Sequence, residues 1–178
     1  ESLNRRALTG ELEVTAVSIH AYAYLTDRYA LLNSGSSMGD RYGPRLVGRA
    51  SPPADPKAGM QGKRIAVPGK LTTAYLALRL FQPDFVEVVV PFDQIEDRVL
   101  RGEVDLGLLI HEGQLTFQEE GLHLWADMGE WWFSVTGLPL PLGGNVVRRD
   151  LGPTVVVQVA RDLKASIVYA LEHRQPAL

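Results

Sequence analysis

Cysteine is absent from the 178-residue chain. Disulfides, thiolate nucleophiles, iron–sulfur clusters and Cys-ligated zinc are excluded together, and the usage suits a reducing, cytoplasmic setting. Long apolar runs are missing as well: none approaches the ~20 residues of a membrane span. Nor is there a surplus of positive charge. Lys and Arg number 18 against 21 Asp and Glu, a net charge of −3, so the basic footprint of a nucleic-acid or anionic-membrane partner is lacking. The metal-ligand spacings H-x-x-x-H and H-E-x-x-H, an EF-hand loop, a P-loop and the G-x-S-x-G elbow do not occur. The opening stretch Glu1-Ser2-Leu3-Asn4-Arg5-Arg6 has neither an initiator Met nor a signal-peptide apolar core, and the chain is expected to begin downstream of a native start.

What is present is ordinary globular composition, 46% hydrophobic and 22% charged, with strand and helix patterns in alternation. Ser2 caps a short helix that stops at Gly10, and Leu12 to Val17 reads as a strand leading into helix-like Ser18 to Leu25. After a Gly/Ser-rich turn over 33–40, a short strand spans Pro44 to Arg49. Ser51-Pro52-Pro53-Ala54-Asp55-Pro56 suits only a surface connection and marks a candidate lobe boundary. A second block follows: strand Arg64 to Val67, helix Thr72 to Phe81, strand Val86 to Val90, helix Asp93 to Arg101 and the nearly all-apolar strand Leu106 to Ile110. Strands are expected at Leu122 to Ala126 and Asn145 to Arg149, and a long helix over Thr154 to Leu171. The expected organisation is α/β with mainly parallel sheets: residues 1–50 in a first lobe, 51–150 in a second, and 151–178 a C-terminal helix.

Leu8-Thr9-Gly10-Glu11-Leu12-Glu13 resembles Leu100-Arg101-Gly102-Glu103-Val104-Asp105, and each stretch leads into an apolar strand that ends in polar residues. The similarity is either a common helix–Gly–strand joint or the mark of two related lobes. In the second case, ligand-binding groups gather at strand carboxyl ends, in a cleft between His20 and His111.

Two strand-to-helix junctions are candidate anion sites, since helix N-termini offer N–H groups and a positive dipole end. They are Ser18-Ile19-His20-Ala21 and Thr72-Thr73-Ala74, the latter after Pro68-Gly69-Lys70-Leu71. The alternative for Thr72 or Thr73 is plain N-capping. His111, delivered by an apolar strand beside Glu112, is the candidate general base, or else a hydrogen-bonded structural histidine. Trp131-Trp132-Phe133 reads as packing, or as the wall of an aromatic ligand site. His123 and His173 read as surface residues.

Many of these segments, in this order, resemble one family. Leu3 to Leu8, Val14 to Leu25, Ser37 to Asp40, Gly62 to Gly69, Leu71 to Leu76, Ile110 to Glu112 and Asn145 to Asp150 are all similar to 1,4-dihydroxy-6-naphthoate synthases of the futalosine route to menaquinone. The resemblance runs from residue 3 to about residue 151. It implies a two-lobed fold of periplasmic-binding-protein type II, missing the family's first strand and the C-terminal end. It also implies a lyase that splits cyclic dehypoxanthinyl futalosine to 1,4-dihydroxy-6-naphthoate without metal or organic cofactor. His111 matches the family's cleft base, and Ser18, Ile19, His20, Ala21, Thr72, Thr73 and Ala74 match its substrate contacts. The expected ligand is a small carboxylate. Two rival functions share the fold, chorismate dehydratase of the same pathway and a non-catalytic binding protein for small carboxylates. Oligomeric state is not written in the sequence.

Overall fold

The computed structural model describes residues 1–177. In chain order the elements are α1 (Ser2–Thr9), β1 (Val14–Ser18), α2 (Ile19–Tyr22), β2 (Tyr29–Leu31), β3 (Ser37–Gly39), β4 (Arg45–Gly48), α3 (Pro56–Gly59), β5 (Arg64–Val67), α4 (Thr73–Phe81), β6 (Val86–Val89), α5 (Ile95–Leu100), β7 (Leu106–Leu109), α6 (Gly113–Thr116), β8 (His123–Asp127), α7 (Met128–Thr136), β9 (Leu140–Arg148), α8 (Pro153–Glu172) and α9 (Arg174–Ala177). Contacts divide the chain into two units: Glu1 with Met38–Leu140, and Ser2–Ser37 with Pro141–Leu178.

The first unit is built on a five-stranded sheet of order β6-β5-β7-β4-β8. β7 is buried at all four residues, as its unbroken apolar sequence requires of a strand covered on both faces. Side chains alternate across the sheet. Val47, Ala66 and Leu109 therefore share a core with Ile95 and Val99 of α5 and with Phe117 and Leu122. α4 and α7 pack on each other, partly through an edge-to-face contact of Phe81 and Trp131 with centroids 5.4 Å apart. Trp131, Trp132 and Phe133 are half-buried on α7. Asp127 starts α7 by accepting from the N–H groups of Gly129 (2.9 Å) and Glu130 (3.3 Å), and it also takes the Arg45 guanidinium at 3.1 Å.

The second unit pairs β9 with β1 and β2, both antiparallel, with Val14 opposite Val147 and Ala30 opposite Val147. α1 packs on β1, and Ala7, Val17, Leu25, Tyr29 and Val146 make the core. Buried Tyr29 satisfies its hydroxyl by donating to the Leu12 carbonyl at 2.6 Å. α8 runs 20 residues without burying one of them. Among the described residues, no helix is long and apolar enough to cross a membrane.

Three expectations are revised. The sheets are mixed rather than mainly parallel. β5–β6 and β5–β7 are parallel, but β4 runs antiparallel to both β7 and β8, and β9 antiparallel to β1 and β2. The crossings between units fall at 1/2, 37/38 and 140/141, and β4, grouped by sequence with residues 1–50, hydrogen-bonds into the five-stranded sheet. The Pro-rich connection over 51–56 therefore lies inside the first unit. Helix-like Ser18 to Leu25 shortens to four residues and then turns, with the Tyr24 and Leu25 amides bonded three residues back.

The repeated hexapeptide has a physical basis. In both copies the glycine adopts positive φ (Gly10 +76°, Gly102 +70°). The Gly10 amide bonds the Ala7 carbonyl and the Glu11 amide that of Arg6; Gly102 and Glu103 repeat this on Val99 and Arg98. That is a Schellman cap, which leaves the helix through a left-handed residue that glycine adopts most readily. Arg6 pairs with Glu11 at 3.0 Å and Arg98 with Glu103 at 2.7 Å. One such joint lies in each unit.

Candidate functional site

Neighbouring parallel strands must end at the same edge of their sheet, so the carboxyl ends of β6, β5 and β7 lie together. β5 delivers the turn Pro68–Leu71 and the first residues of α4. β6 delivers Pro91 and Phe92. β7 delivers Ile110, His111 and Glu112. Open α/β sheets place ligands outside these ends, and His111, Thr72, Thr73 and Ala74 are thereby brought to one edge of the first unit.

At the α4 turn, Thr72 is the N-cap. Its hydroxyl accepts from the Tyr75 amide at 3.2 Å and donates to the Gly69 carbonyl at 2.7 Å, so capping is what this side chain does locally. Thr73 and Ala74 follow as the first two helical residues, both buried. Gly69 has φ +145°, and the Glu1 carboxylate occupies the volume a side chain there would fill. Both the backbone conformation and the space demand glycine. A carboxylate of the chain itself thus sits against the turn that precedes the α4 N-terminus. Lys70, in the same turn, carries a cation that is already paired. Its ammonium pairs with Glu87, which also takes Arg79. The hydrogen bond from Lys70 holds the Glu87 carboxyl below its usual range, and Glu87 in turn raises the Lys70 amine.

His111 is exposed just beyond β7. Its ring lies against Phe92, centroids 4.1 Å apart, and its carbonyl accepts from the Gln114 amide at 2.8 Å. Gln114 is anchored in turn: its side chain donates to the Leu109 carbonyl at 3.2 Å, and its carbonyl accepts from Arg45 at 2.6 Å. Among the described residues, no group of three His, Asp or Glu side chains could hold a metal ion.

Ser18, Ile19, His20 and Ala21 lie in the second unit, where β1 passes into α2. Ser18 does not cap α2 with its side chain. Instead buried Asn4 grips it twice, donating to Ser18 Oγ at 3.1 Å and accepting from its amide at 2.9 Å. Ile19 and His20 are half-buried, with the His20 ring 5.8 Å from that of Tyr24, and Ala21 is fully buried.

Sequence reasoning misses Phe92 and Asn4. Both act through space on a residue that it singles out. The signal available for Phe92 is its place directly after the end of β6; Asn4 has only its place in the segment Leu3 to Leu8, where nothing assigns it any chemistry. His123 and His173 are exposed. The first approaches Ser51 Oγ at 3.4 Å, and the second stacks on Tyr169 with centroids 4.2 Å apart.

This geometry can be set beside known proteins. A Thermus thermophilus protein named 1,4-dihydroxy-6-naphtoate synthase is 44% identical over 178 residues, all of this chain and 64% of the relative. A crystal structure of an Archaeoglobus fulgidus protein superposes with a TM-score of 0.92 at 48% identity, over 99% of this chain and 65% of that one. The chain therefore spans just under two thirds of the length of these relatives. An alkanesulfonate-binding protein of Xanthomonas axonopodis superposes at TM-score 0.71 with 14% identity, covering 98% of this chain and 61% of its own. That likeness shows the fold alone, a periplasmic-binding-protein-like one. The menaquinone-biosynthesis family matches all of residues 1–178, and the chain belongs to it.

Proposed function

We propose that the whole enzyme is a carbon–carbon lyase that converts cyclic dehypoxanthinyl futalosine to 1,4-dihydroxy-6-naphthoate, with His111 as general base. The observation that carries the reading is the shared sheet edge: an exposed imidazole after β7 beside the N-terminus of α4 after the adjacent parallel strand β5. A proton acceptor and a group of anion-favouring amides are what a base-driven cleavage of a carboxylate substrate needs at close quarters. The imidazole takes a proton as the bond breaks, and the amides of Thr73 and Ala74 hold the carboxylate. The Glu1 carboxylate at Gly69 supports the second role, because it is an anion accommodated at the same turn. Ser18, Ile19, His20 and Ala21 are proposed as further substrate contacts. A cytoplasmic setting and chemistry without metal or organic cofactor belong to the same reading.

The test uses the full-length enzyme. His111→Asn is expected to lower kcat by ~10²–10⁴-fold while substrate still binds. Near-normal turnover by that variant would remove His111 from the mechanism. Binding without turnover by the unaltered enzyme, on this substrate and on chorismate, would favour a small-carboxylate-binding protein.

A further inference from the structure

Residues 92–96, the turn at Phe92 and the start of α5, hold the His111 segment at two points. Phe92, one helical turn before Glu96, touches the imidazole. Glu96 itself meets the backbone two residues past His111: its Oε2 lies 3.1 Å from where a Cβ on Gly113 would stand, beside the Leu109 methyl. Its other oxygen, Oε1, is buried with no hydrogen-bond partner. Gly113 leaves the space that the carboxyl group fills, and the bond from the Gln114 amide to the His111 carbonyl makes the turn one unit.

We propose that Glu96 is a positioning residue for His111: its neutral carboxyl seats the His111–Thr116 segment on α5, and its ionised form loosens that seat. The proposal rests on the reading of His111 as the base. A buried oxygen without a donor tolerates an O–H group or a neutral carbonyl far better than a negative charge. Burial accordingly pushes the Glu96 carboxyl above its usual range, and Glu120 and Asp97 push it further the same way. The groups around it are these two carboxylates, the Leu109 methyl from β7, and the α6 segment Gly-Gln-Leu-Thr, which has no titratable side chain and is preceded by His111 and Glu112. Arg98, the cation within α5, gives its Nη1 to Glu103 at 2.7 Å, while its buried Nε makes no hydrogen bond, to Glu96 or to any other group. Ionisation therefore puts a third negative charge beside two others. The least costly escape is for the turn to lift and admit water.

The experiment follows backbone amide protection of Gly113–Phe117, normalised for intrinsic exchange, from pH 4, below the ordinary carboxyl value, to pH 8.5 in the full-length enzyme. Protection is expected to fall about tenfold in the unaltered protein, the order of a local opening, and to stay level in Glu96→Gln. Superposed profiles of the two proteins would overturn the proposal. Glu120→Gln, an exposed change that spares the core, is expected to move the loss of protection to lower pH; an unmoved midpoint would overturn it too. In turnover, Glu96→Gln should keep kcat and lack whatever fall in kcat accompanies the loss of amide protection in the unaltered enzyme, while Glu96→Ala loses kcat at little change in KM. A His111→Asn variant that remained active would remove the base reading and leave the amide result standing, so the two failures are distinguishable.

Discussion

The imidazole of His111 rests on the ring of Phe92, centroids 4.1 Å apart and planes tilted by 54°. The two residues follow the carboxyl ends of different strands, β7 and β6, so the contact exists only because those strands flank β5. A half-exposed aromatic ring has little to gain from the core, and its work is to limit the rotamers of the imidazole. Phe92→Ala is expected to lower kcat about three- to tenfold, the scale of an aromatic contact of ~0.5–1.5 kcal/mol, with the unfolding midpoint nearly unchanged. Leucine in its place should restore part of the loss. Steady-state kinetics beside a urea melt separates the two effects.

Thr72 gives a test of capping that does not depend on substrate. Thr72→Ala removes both hydroxyl bonds and is expected to cost ~1 kcal/mol of stability. Thr72→Ser keeps the oxygen and should stay within a few tenths of the unaltered protein. Denaturant unfolding checks both values.

Asp127 does two jobs with one carboxylate, starting α7 and holding Arg45. Asp127→Asn keeps the cap and loses the charge, at an expected cost of about 2 kcal/mol. Asp127→Ala loses both, at about 3 kcal/mol. The order of the two melting temperatures is the prediction: equal losses would mean that the cap contributes nothing and the Arg45 contact all of the effect.

The Lys70–Glu87–Arg79 cluster sets a pH dependence with a definite sign. Glu87 is held below its ordinary value of 4.5, chiefly by its hydrogen bond from Lys70, so the stability it contributes is present above that value and lost as pH falls through the folded one. Lys70 is raised above its ordinary 10.5 by the same bond; its contribution is complete below that value and lost as pH rises through the folded one. Glu87→Gln should remove both slopes. Thermal melts at acid, neutral and alkaline pH read this out, and high salt should weaken the effect because Lys70 is mostly exposed.

Much of the site is legible in the chain's own residues. β7 reads as a buried strand because Leu106 to Leu109 carries no polar side chain, and its end therefore points to His111. The start of α4 reads from Thr72, and the end of α1 from Gly10. Contact at a distance stays hidden: Asn4 on Ser18 across 14 residues, Phe92 under His111, and Glu87 taking up Lys70. α7 escapes a sequence reading although its cap is local. The Trp-Trp-Phe run interrupts the polar face by which an amphipathic helix is recognised.

The sequence by itself determined the start and stop of many elements, because caps and hydrophobic periodicity are set by residues within a few positions of one another. It also determined the paired joints at Gly10 and Gly102, where one local hydrogen-bond pattern recurs in two places. Only the tertiary structure decided strand direction and membership. Nothing near Val14 announces that it lies antiparallel to Val147, and nothing in Arg45 to Gly48 says that this strand runs against β7 rather than with it. Those choices are made by surfaces that meet after chain segments far apart in sequence have closed on each other. The same closure turns three separate strand ends into one edge, where a histidine finds the ring that holds it.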